Sequence, residues 1–192
     1  MTIEIETERL VLKNYCENDL QNIYTLKSEK LVWIYSDKQV ITVIEEAKKH
    51  LDGILKNYTH NIHDFQALFT KETQEYIGEA GILSFNPKHR KAVIGYNLLP
   101  KYWSKGYATE ITIALIKYLF EELNAERIEA LVCDENKASK NVLKKSGLLQ
   151  EGLLRNFASI NNIYVNVCYF GMIRQDYFGI HKIIYSHHNN TQ

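Results

Sequence analysis

The segment from Lys101 to Glu110 holds the residues whose types and spacing best fit a chemical role. It follows a strand-like run from Ala92 to Leu99 that Pro100 closes, and a long helical pattern begins near Gly106. A strand, a short turn and a helix N-terminus leave backbone N–H groups unpaired beside the positive end of a helix dipole. Because such an arrangement binds phosphate in many classes of protein, the segment predicts a site for a phosphate-bearing ligand.

The composition fits one folded domain without a strong electrostatic preference for a partner. The chain has 192 residues, 45% of them hydrophobic, and 23 Lys and Arg balance 23 Asp and Glu. This length can bury a sizeable core, and the hydrophobic fraction excludes wholesale disorder. The balanced charge disfavours nucleic acid and anionic membranes as partners. We expect one domain over residues 1–178 and a polar tail over residues 179–192.

The cysteines and the first residues favour a cytoplasmic protein. Cys16, Cys133 and Cys168 lie far apart, without the paired spacing of a zinc or redox motif, so no metal is expected. The first eight residues are acidic and alternate in polarity, unlike a secretion signal. No apolar run approaches the roughly 18 residues that a membrane span requires. We therefore expect a reducing cytoplasm and no membrane partner.

Hydrophobic periodicity predicts helices and strands in the order β-α-α-β-β-β-α-β-α-β-β, an α/β (α+β) arrangement around one mixed sheet. Apolar steps of three and four residues predict four helices, at Glu17–Lys27, Val40–Tyr58, from Gly106 onward and at Asn136–Lys145. Runs rich in β-branched and aromatic residues predict the strands, at Arg9–Asn14, Phe65–Phe69, Tyr76–Phe85, Ala92–Leu99, Ile128–Val132, Gly152–Ile160 and Tyr164–Ile173.

Three stretches of the chain resemble the GNAT superfamily of acetyl-CoA-dependent N-acyltransferases, and within it the Rim-type ribosomal-protein N-terminal acetyltransferases. The stretches are Ile94–Pro100, Tyr102–Glu110 and Asn136–Gly147, and they occur in the family's order on the matching elements. The likeness extends from Thr7 to about Tyr177. It implies a largely antiparallel mixed sheet with helices on both faces, acetyl-CoA as co-substrate, a primary amine as acceptor, and a monomer or homodimer.

The resemblance also implies which residues bind coenzyme A. The backbone amides of the turn would hold its pyrophosphate, with charge from a lysine and a hydroxyl contact from a threonine: Ser104, Lys105, Gly106, Tyr107, Ala108 and Thr109. Gly106 suits this role because no side chain keeps the backbone from the phosphate. The family often has glycine where this chain has Ser104.

The family opens its sheet beside the preceding strand, and the resemblance assigns the rest of the coenzyme to this opening. Backbone groups of Asn97, Leu98 and Leu99 would bond the pantetheine arm and the acetyl carbonyl, and an N–H there could stabilise an oxyanion. Asn136 would bond a pantetheine amide, and Ser139 would lie near the sulfur. Asparagine and serine at this spacing also suit an N-cap and a first helical turn.

The residues that move protons are less plainly marked. Many GNAT enzymes place a tyrosine acid where this chain has Leu143, so the hydroxyl of Ser139 is the predicted acid. Two carboxylate positions of Rim-type enzymes correspond to Ala158 and Asn166, so the base is left to Glu79, with Glu110 as a weaker alternative. Tyr96 and Tyr164 are alternative site walls or core residues.

The missing carboxylates favour an α-amine as acceptor. With reference pKa values near 7.8 and 10.4, an α-amine offers roughly 400-fold more neutral form than lysine at neutral pH. A general base contributes only about 10²–10⁴-fold. A site without an evident base therefore fits a protein N-terminus better than lysine.

Two alternatives stay open: an acetyltransferase for a polyamine, aminoglycoside or amino acid, and a sensor that binds acyl-CoA without turnover. A nucleotide-dependent regulator is disfavoured because the turn lacks the G-x-x-x-x-G-K-[ST] spacing.

Overall fold

The computed structural model describes residues 3–179, which form an eight-stranded sheet with helices on both faces. The strands are β1 (Glu4–Glu6), β2 (Leu10–Lys13), β3 (Phe65–Thr70), β4 (Tyr76–Asn86), β5 (Lys91–Leu98), β6 (Arg127–Cys133), β7 (Leu149–Ile160) and β8 (Ile163–Ile173). The helices are α1 (Leu20–Ser28), α2 (Ile44–Thr59), α3 (Tyr107–Glu121) and α4 (Lys137–Lys145). No helix within residues 3–179 has the length and apolar character needed to cross a membrane.

The strand order across the sheet is β1-β2-β3-β4-β5-β6-β8-β7. Neighbouring strands run antiparallel except β5 and β6, which are parallel. Since parallel neighbours need a long crossover, the connection between β5 and β6 contains α3. The turn that precedes α3 consequently lies at the end of β5, next to the junction of the two parallel strands.

The alternation of side chains on β3 separates the two faces of the sheet. Phe65, Ala67 and Phe69 pack with residues of α1 and α2. Leu68 belongs instead to the larger cluster that includes the α3 residues Ile111, Leu115 and Leu119. Because strand side chains alternate between faces, α1 and α2 cover one side and α3 the other.

The predicted fold class is confirmed, and so is the order of the main elements apart from one added strand. The short strand β1 was missed because Glu4 and Glu6 leave it only one apolar residue. Helix α2 begins at Ile44 rather than Val40. Val40 packs against the core from an irregular segment, so it kept a helical spacing without being helical. Apart from Gly179, the predicted polar tail lies outside the described residues.

Candidate active site

Strands β5 and β6 pair over only part of their length. The register joins Lys91 to Arg127, Ala92 to Ile128 and Val93 to Glu129, and ends there. β5 continues along β4 as far as Leu98, while β6 continues along β8. The two strands are therefore open to each other over their second halves. An extended ligand arm could pair with the exposed edge of β5 in this opening.

The turn between β5 and α3 directs unpaired donors outward. Gly106 is the N-cap of α3 and has φ +83°, which a glycine adopts without steric cost. Ser104 also has a left-handed backbone, with φ +60°. Within residues 3–179, the backbone N–H groups of residues 104–109 donate to no protein acceptor, and the first helical bond runs from Glu110 N–H to Gly106 O at 3.0 Å. Unpaired N–H groups at a helix N-terminus can bind an anion, and the binding of coenzyme A by these residues stays a prediction.

A cluster around Glu110 fixes this turn to the start of β2. The Glu110 carboxylate accepts from the hydroxyl of Thr7 at 2.6 Å, the backbone N–H of Arg9 at 2.9 Å and the Arg9 guanidinium at 2.7 Å. The same guanidinium donates to Lys105 O at 3.1 Å and lies 4.7 Å from the centre of the Tyr107 ring. Burial raises the pKa of the Glu110 carboxyl, but the bonds from Thr7 and Arg9 outweigh it and leave that pKa below its usual value. The Glu110 carboxylate is therefore engaged in structural hydrogen bonds, which disfavours it as a catalytic base.

An open cavity of about 400 Å³ adjoins the turn. Basic and aromatic side chains line part of it, namely Arg9, Lys71, Tyr102, Lys105 and Tyr107. The Lys105 ammonium lies 5.4 Å from the centre of the Tyr102 ring. The side chain predicted to add charge to the turn therefore lies against the Tyr102 ring, in the lining of this cavity.

The three residues at the end of β5 and just after it that are predicted to bond a ligand through their backbone, Asn97, Leu98 and Leu99, differ in what they already contact. The N–H of Leu99 donates to Ile77 O at 2.9 Å, and its C=O accepts from Tyr102 N–H at 2.9 Å. The prediction for Leu99 is therefore wrong for its N–H, because β4 already engages that donor. By the alternation of an antiparallel ladder, Asn97 also directs its backbone to β4, whereas Leu98 faces the opening. The Leu98 C=O accepts from the Trp103 indole at 2.6 Å, which leaves its N–H as the donor facing the opening.

The first turn of α4 brings Ser139 to Tyr96 of β5. Asn136 is the N-cap and accepts from the backbone N–H of Ser139 at 3.0 Å. The hydroxyl groups of Ser139 and Tyr96 lie 2.8 Å apart, and the Tyr96 hydroxyl lies 3.3 Å from Ser139 O. Burial raises the pKa of Tyr96 to about 12, so its phenol stays protonated at neutral pH. The sequence predicted Tyr96 as either a wall of the site or a core residue, and the 43 residues between Tyr96 and Ser139 gave no sign of this bond.

Glu79 lies on the other face of the sheet and is fully buried, with 0% exposure. Its register partner on β5 is Asn97, whose amide donates to Glu79 Oε1 at 2.8 Å. The Lys27 ammonium contacts the same oxygen at 2.7 Å, and the Tyr15 hydroxyl lies 3.3 Å from Oε2. The two predicted catalytic residues, Ser139 and Glu79, are therefore not brought together. Glu79 is ion-paired, which disfavours it as a direct base.

At the positions where the resemblance led us to look for a tyrosine acid or a carboxylate, this chain has other residues with structural contacts. Leu143 is buried in the core at 2% exposure. Asn166 accepts from the backbone N–H of Asn156 at 3.0 Å, within an interruption of the β7–β8 pairing between Leu154 and Ala158. An open cavity of about 720 Å³ lies at this interruption and is lined by residues 153–157 and Asn166. Tyr164 is 70% exposed, so it does not wall an enclosed site.

Most of the chain is similar in sequence to known acetyltransferases. Residues 9–149 match the family described as acetyltransferase (GNAT) domain. Uncharacterized N-acetyltransferase YoaA of Bacillus subtilis is 31% identical over 153 residues, which cover 80% of this chain and 86% of that protein. The putative ribosomal N-acetyltransferase YdaF of the same organism is 28% identical over 53% of this chain and 56% of its own length. Spermidine N(1)-acetyltransferase of Escherichia coli is 29% identical, with 65% and 68% covered.

Solved structures show the same fold. An acetyltransferase of the GNAT family from Bacillus anthracis superposes with a TM-score of 0.80 at 25% identity, covering 90% of this chain and 99% of that one. RimL, the ribosomal L7/L12 alpha-N-protein acetyltransferase, in complex with coenzyme A gives 0.81 at 21% identity, with 89% and 98% covered. Spermidine N-acetyltransferase from Vibrio cholerae, in complex with CoA and spermine, gives 0.79 at 22% identity, with 90% and 99% covered.

Proposed function

Because the chain belongs to the GNAT acetyltransferase family and is an N-acetyltransferase, we propose that it transfers the acetyl group of acetyl-CoA to the α-amine of a protein N-terminus. The observation that carries the donor assignment is the set of outward N–H groups at residues 104–109, next to the opening between β5 and β6. A diphosphate and an extended pantetheine arm have the charge and shape that these two features accept.

The proposed contacts with acetyl-CoA extend along the whole opening between β5 and β6. The pyrophosphate binds the amides from Ser104 to Thr109, with charge supplied by Lys105. The arm runs along the unpaired half of β5, where the Leu98 N–H faces it. Asn136 remains able to contact the arm with its side-chain amide N–H₂, because only its oxygen is used as the cap. The acetyl end of the arm then lies near Ser139.

The reaction itself joins the amine nitrogen to the acetyl carbon and breaks the bond from that carbon to sulfur. The Leu98 N–H donates to the carbonyl oxygen as negative charge develops there, a contribution that grows toward the transition state. Ser139 donates a proton to the departing thiolate and regains one from solvent, and the amine loses one proton to solvent. Tyr96 acts on Ser139 as a positioning residue, because the two hydroxyl groups lie 2.8 Å apart. When the phenol donates to the serine oxygen, the serine proton is free to point at sulfur.

The acceptor assignment rests on charge. Glu79 is a buried carboxylate one strand from the opening, and it is paired with Lys27 rather than free to deprotonate an amine. An acceptor that is substantially neutral at physiological pH is favoured by roughly 400-fold over lysine by the difference in reference pKa values. A protein N-terminus meets this requirement. The ribosomal and Rim-type acetyltransferases among the similar proteins support the same acceptor class.

A small cationic amine is the second candidate, because similar proteins include spermidine acetyltransferases. Such an acceptor needs acidic groups to hold its additional ammonium groups. The Lys27–Glu79 pair removes one such group. We therefore rank polyamines as the second candidate.

A thiol-release assay with acetyl-CoA tests the proposal directly. The acceptor panel contains peptides with free N-termini, the same peptides with blocked N-termini and an internal lysine, spermidine, and an aminoglycoside. We expect turnover with free N-termini and at least tenfold lower kcat/KM for every other acceptor. Turnover confined to spermidine would replace the proposal by the second candidate. Coenzyme A binding in calorimetry without thiol release from any acceptor would indicate a sensor.

A further inference from the structure

The contacts of Lys27 form an ammonium-binding site. Its nitrogen lies 2.7 Å from Glu79 Oε1, 4.6 Å from the centre of the Trp33 ring and 5.5 Å from that of Phe65. A carboxylate combined with aromatic faces is the arrangement by which proteins recognise ammonium ligands. Here the ligand is a side chain of the protein itself, from α1, and Lys27 is only 5% exposed.

The carboxylate of this site, Glu79, is buried in the sheet and has hydrogen-bond partners besides the lysine. Glu79 has 0% exposure, its Oε1 also accepts from the Asn97 amide at 2.8 Å, and its Oε2 lies 3.3 Å from the Tyr15 hydroxyl. Removing the ammonium would leave a buried charge without its cation, which is costly. The site therefore requires a cation whichever molecule supplies it.

The site borders the opening between β5 and β6. Glu79 pairs with Asn97, which belongs to the half of β5 beyond its last pair with β6. Adjacent strands lie about 4.8 Å apart, so Glu79 is one strand from the opening. It is on the α1 and α2 face, opposite the face of Tyr96 and Ser139. When acetyl-CoA enters beside α3 and α4, the face covered by α1 and α2 is left for the acceptor amine.

Further positive charge surrounds the occupied site. The Lys38 ammonium lies 5.7 Å from the Trp33 ring centre and 5.4 Å from that of Phe65. Burial, and then the charge of Lys27, lower the pKa of Lys38. The Asp64 carboxylate is bonded to Asn57 and to the backbone N–H of Phe65. Another cation on this face would meet two ammonium groups, while Glu79 and Asp64 are already paired and Asp37 acts on Lys38.

We propose that Lys27 occupies an ammonium site of the acceptor face and is thereby a specificity-determining residue, which excludes alkylammonium and polyamine acceptors from this enzyme. The inference deepens the proposed function, on which it rests for the placement of the acceptor. The existence of the ammonium site does not depend on that function. Specificity arises here from a negative element, a resident cation that repels a competing one.

Replacement of the side chain by an added amine tests the site without any assay of activity. The Lys27→Ala variant lacks the part of the side chain that n-propylammonium reproduces in length and charge. We expect a lower Tm for this variant and a saturable rise with n-propylammonium chloride, of about 3–6 °C at ten times the dissociation constant. n-Propanol at equal concentration, and sodium chloride at equal ionic strength, should not raise the Tm of Lys27→Ala in this way. n-Propylammonium should also fail to raise the Tm of two control variants. These are the double variant Lys27→Ala/Glu79→Gln, and Lys48→Ala, which truncates an exposed lysine.

Acceptor specificity gives a second readout, for Lys27→Met, which removes the charge but keeps the apolar contacts of the side chain that the alanine variant loses. The ratio of kcat/KM for spermidine to that for an N-terminal peptide should rise at least tenfold over the wild type. Absence of a saturable shift in a folded Lys27→Ala, or an unchanged ratio in Lys27→Met, would overturn the inference. If the wild type acetylates neither acceptor while the alanine variant still responds to the amine, the proposed function fails and the ammonium site stands.

Discussion

The Arg9 guanidinium and the Glu110 carboxylate, 2.6 Å apart, join the start of β2 to the first turn of α3. Arg9 also donates to Lys105 O, so one side chain contacts both the helix and the turn before it. The amides of residues 104–109 are held facing outward by this contact and by the left-handed backbone at Ser104 and Gly106. A turn fixed before the ligand arrives loses less entropy when it binds.

The Arg9→Met variant tests how much the contacts of Arg9 with the turn contribute to the affinity for coenzyme A. It removes the donors to Glu110 and Lys105 but keeps an unbranched side chain over Tyr107. We expect about tenfold weaker binding of coenzyme A, equivalent to about 1.4 kcal/mol, with an unchanged circular dichroism spectrum. Titration calorimetry measures it. Lys48→Met, in an exposed ion pair on α2, is the matched control and should bind normally. Equal affinities for Arg9→Met and the control would show that Arg9 does not support the turn.

Glu110 should make part of the stability of the protein dependent on pH. Its pKa is depressed in the folded state, so its contribution is present above the unfolded pKa of about 4.3 and is lost as pH falls through the folded value. Glu110→Gln should therefore lower the Tm near pH 7, and the difference from the wild type should shrink below pH 4. Calorimetric scans from pH 3 to 7 measure this difference. A constant difference at every pH would mean that the charge of Glu110 is not involved.

Ser104 occupies a backbone conformation that costs a non-glycine residue about 1–2 kcal/mol. Ser104→Gly should relieve this cost, and part of the gain should be offset by the greater freedom of glycine in the unfolded chain. We expect a Tm higher by about 2–4 °C and unchanged affinity for coenzyme A, because the amide is kept. Ser36→Gly, at a loop serine that does not have a left-handed backbone, is the comparison. A lower Tm for Ser104→Gly would contradict the strained conformation.

The hydroxyl pair of Tyr96 and Ser139 should behave as a unit in catalysis. Ser139→Ala should lower kcat about 10²-fold, within the range for loss of an acid, and Tyr96→Phe about tenfold. The KM for acetyl-CoA should change little in either variant. Steady-state kinetics on the double variant decide the relationship: its kcat should equal that of Ser139→Ala, because Tyr96 acts through the serine. Multiplicative effects of the two changes would mean independent roles.

The elements were predictable where one face of each is buried. Ile111, Leu115 and Leu119 have 0% exposure and recur at helical spacing, so the sequence already indicated α3 and the turn before it. The start of α2 was not predictable, since Val40 packs on the core from an irregular segment. Neither burial nor helical spacing distinguishes these cases, because Val40 packs on the core four residues before Ile44.

The side-chain contacts of the site could not be predicted from the sequence. Lys27 and Glu79 are 52 residues apart, and a lysine near the end of a predicted helix ordinarily points to solvent. Their meeting depends on the packing of α1 over β4. The resemblance placed Asn136 and Ser139 near the coenzyme, but the Tyr96 contact depends on the pleat of β5, which directs Tyr96 and Asn97 to opposite faces.

Nuclear magnetic resonance of the ¹⁵N-labelled protein tests most directly whether the backbone at residues 104–109 binds the pyrophosphate. Coenzyme A at saturation should shift the amide signals of Ser104, Lys105, Gly106, Tyr107 and Ala108. Pantetheine, which lacks the diphosphate, should shift signals along β5 and α4 and leave those of the turn in place. Saturating coenzyme A that leaves the turn signals unmoved would contradict the account.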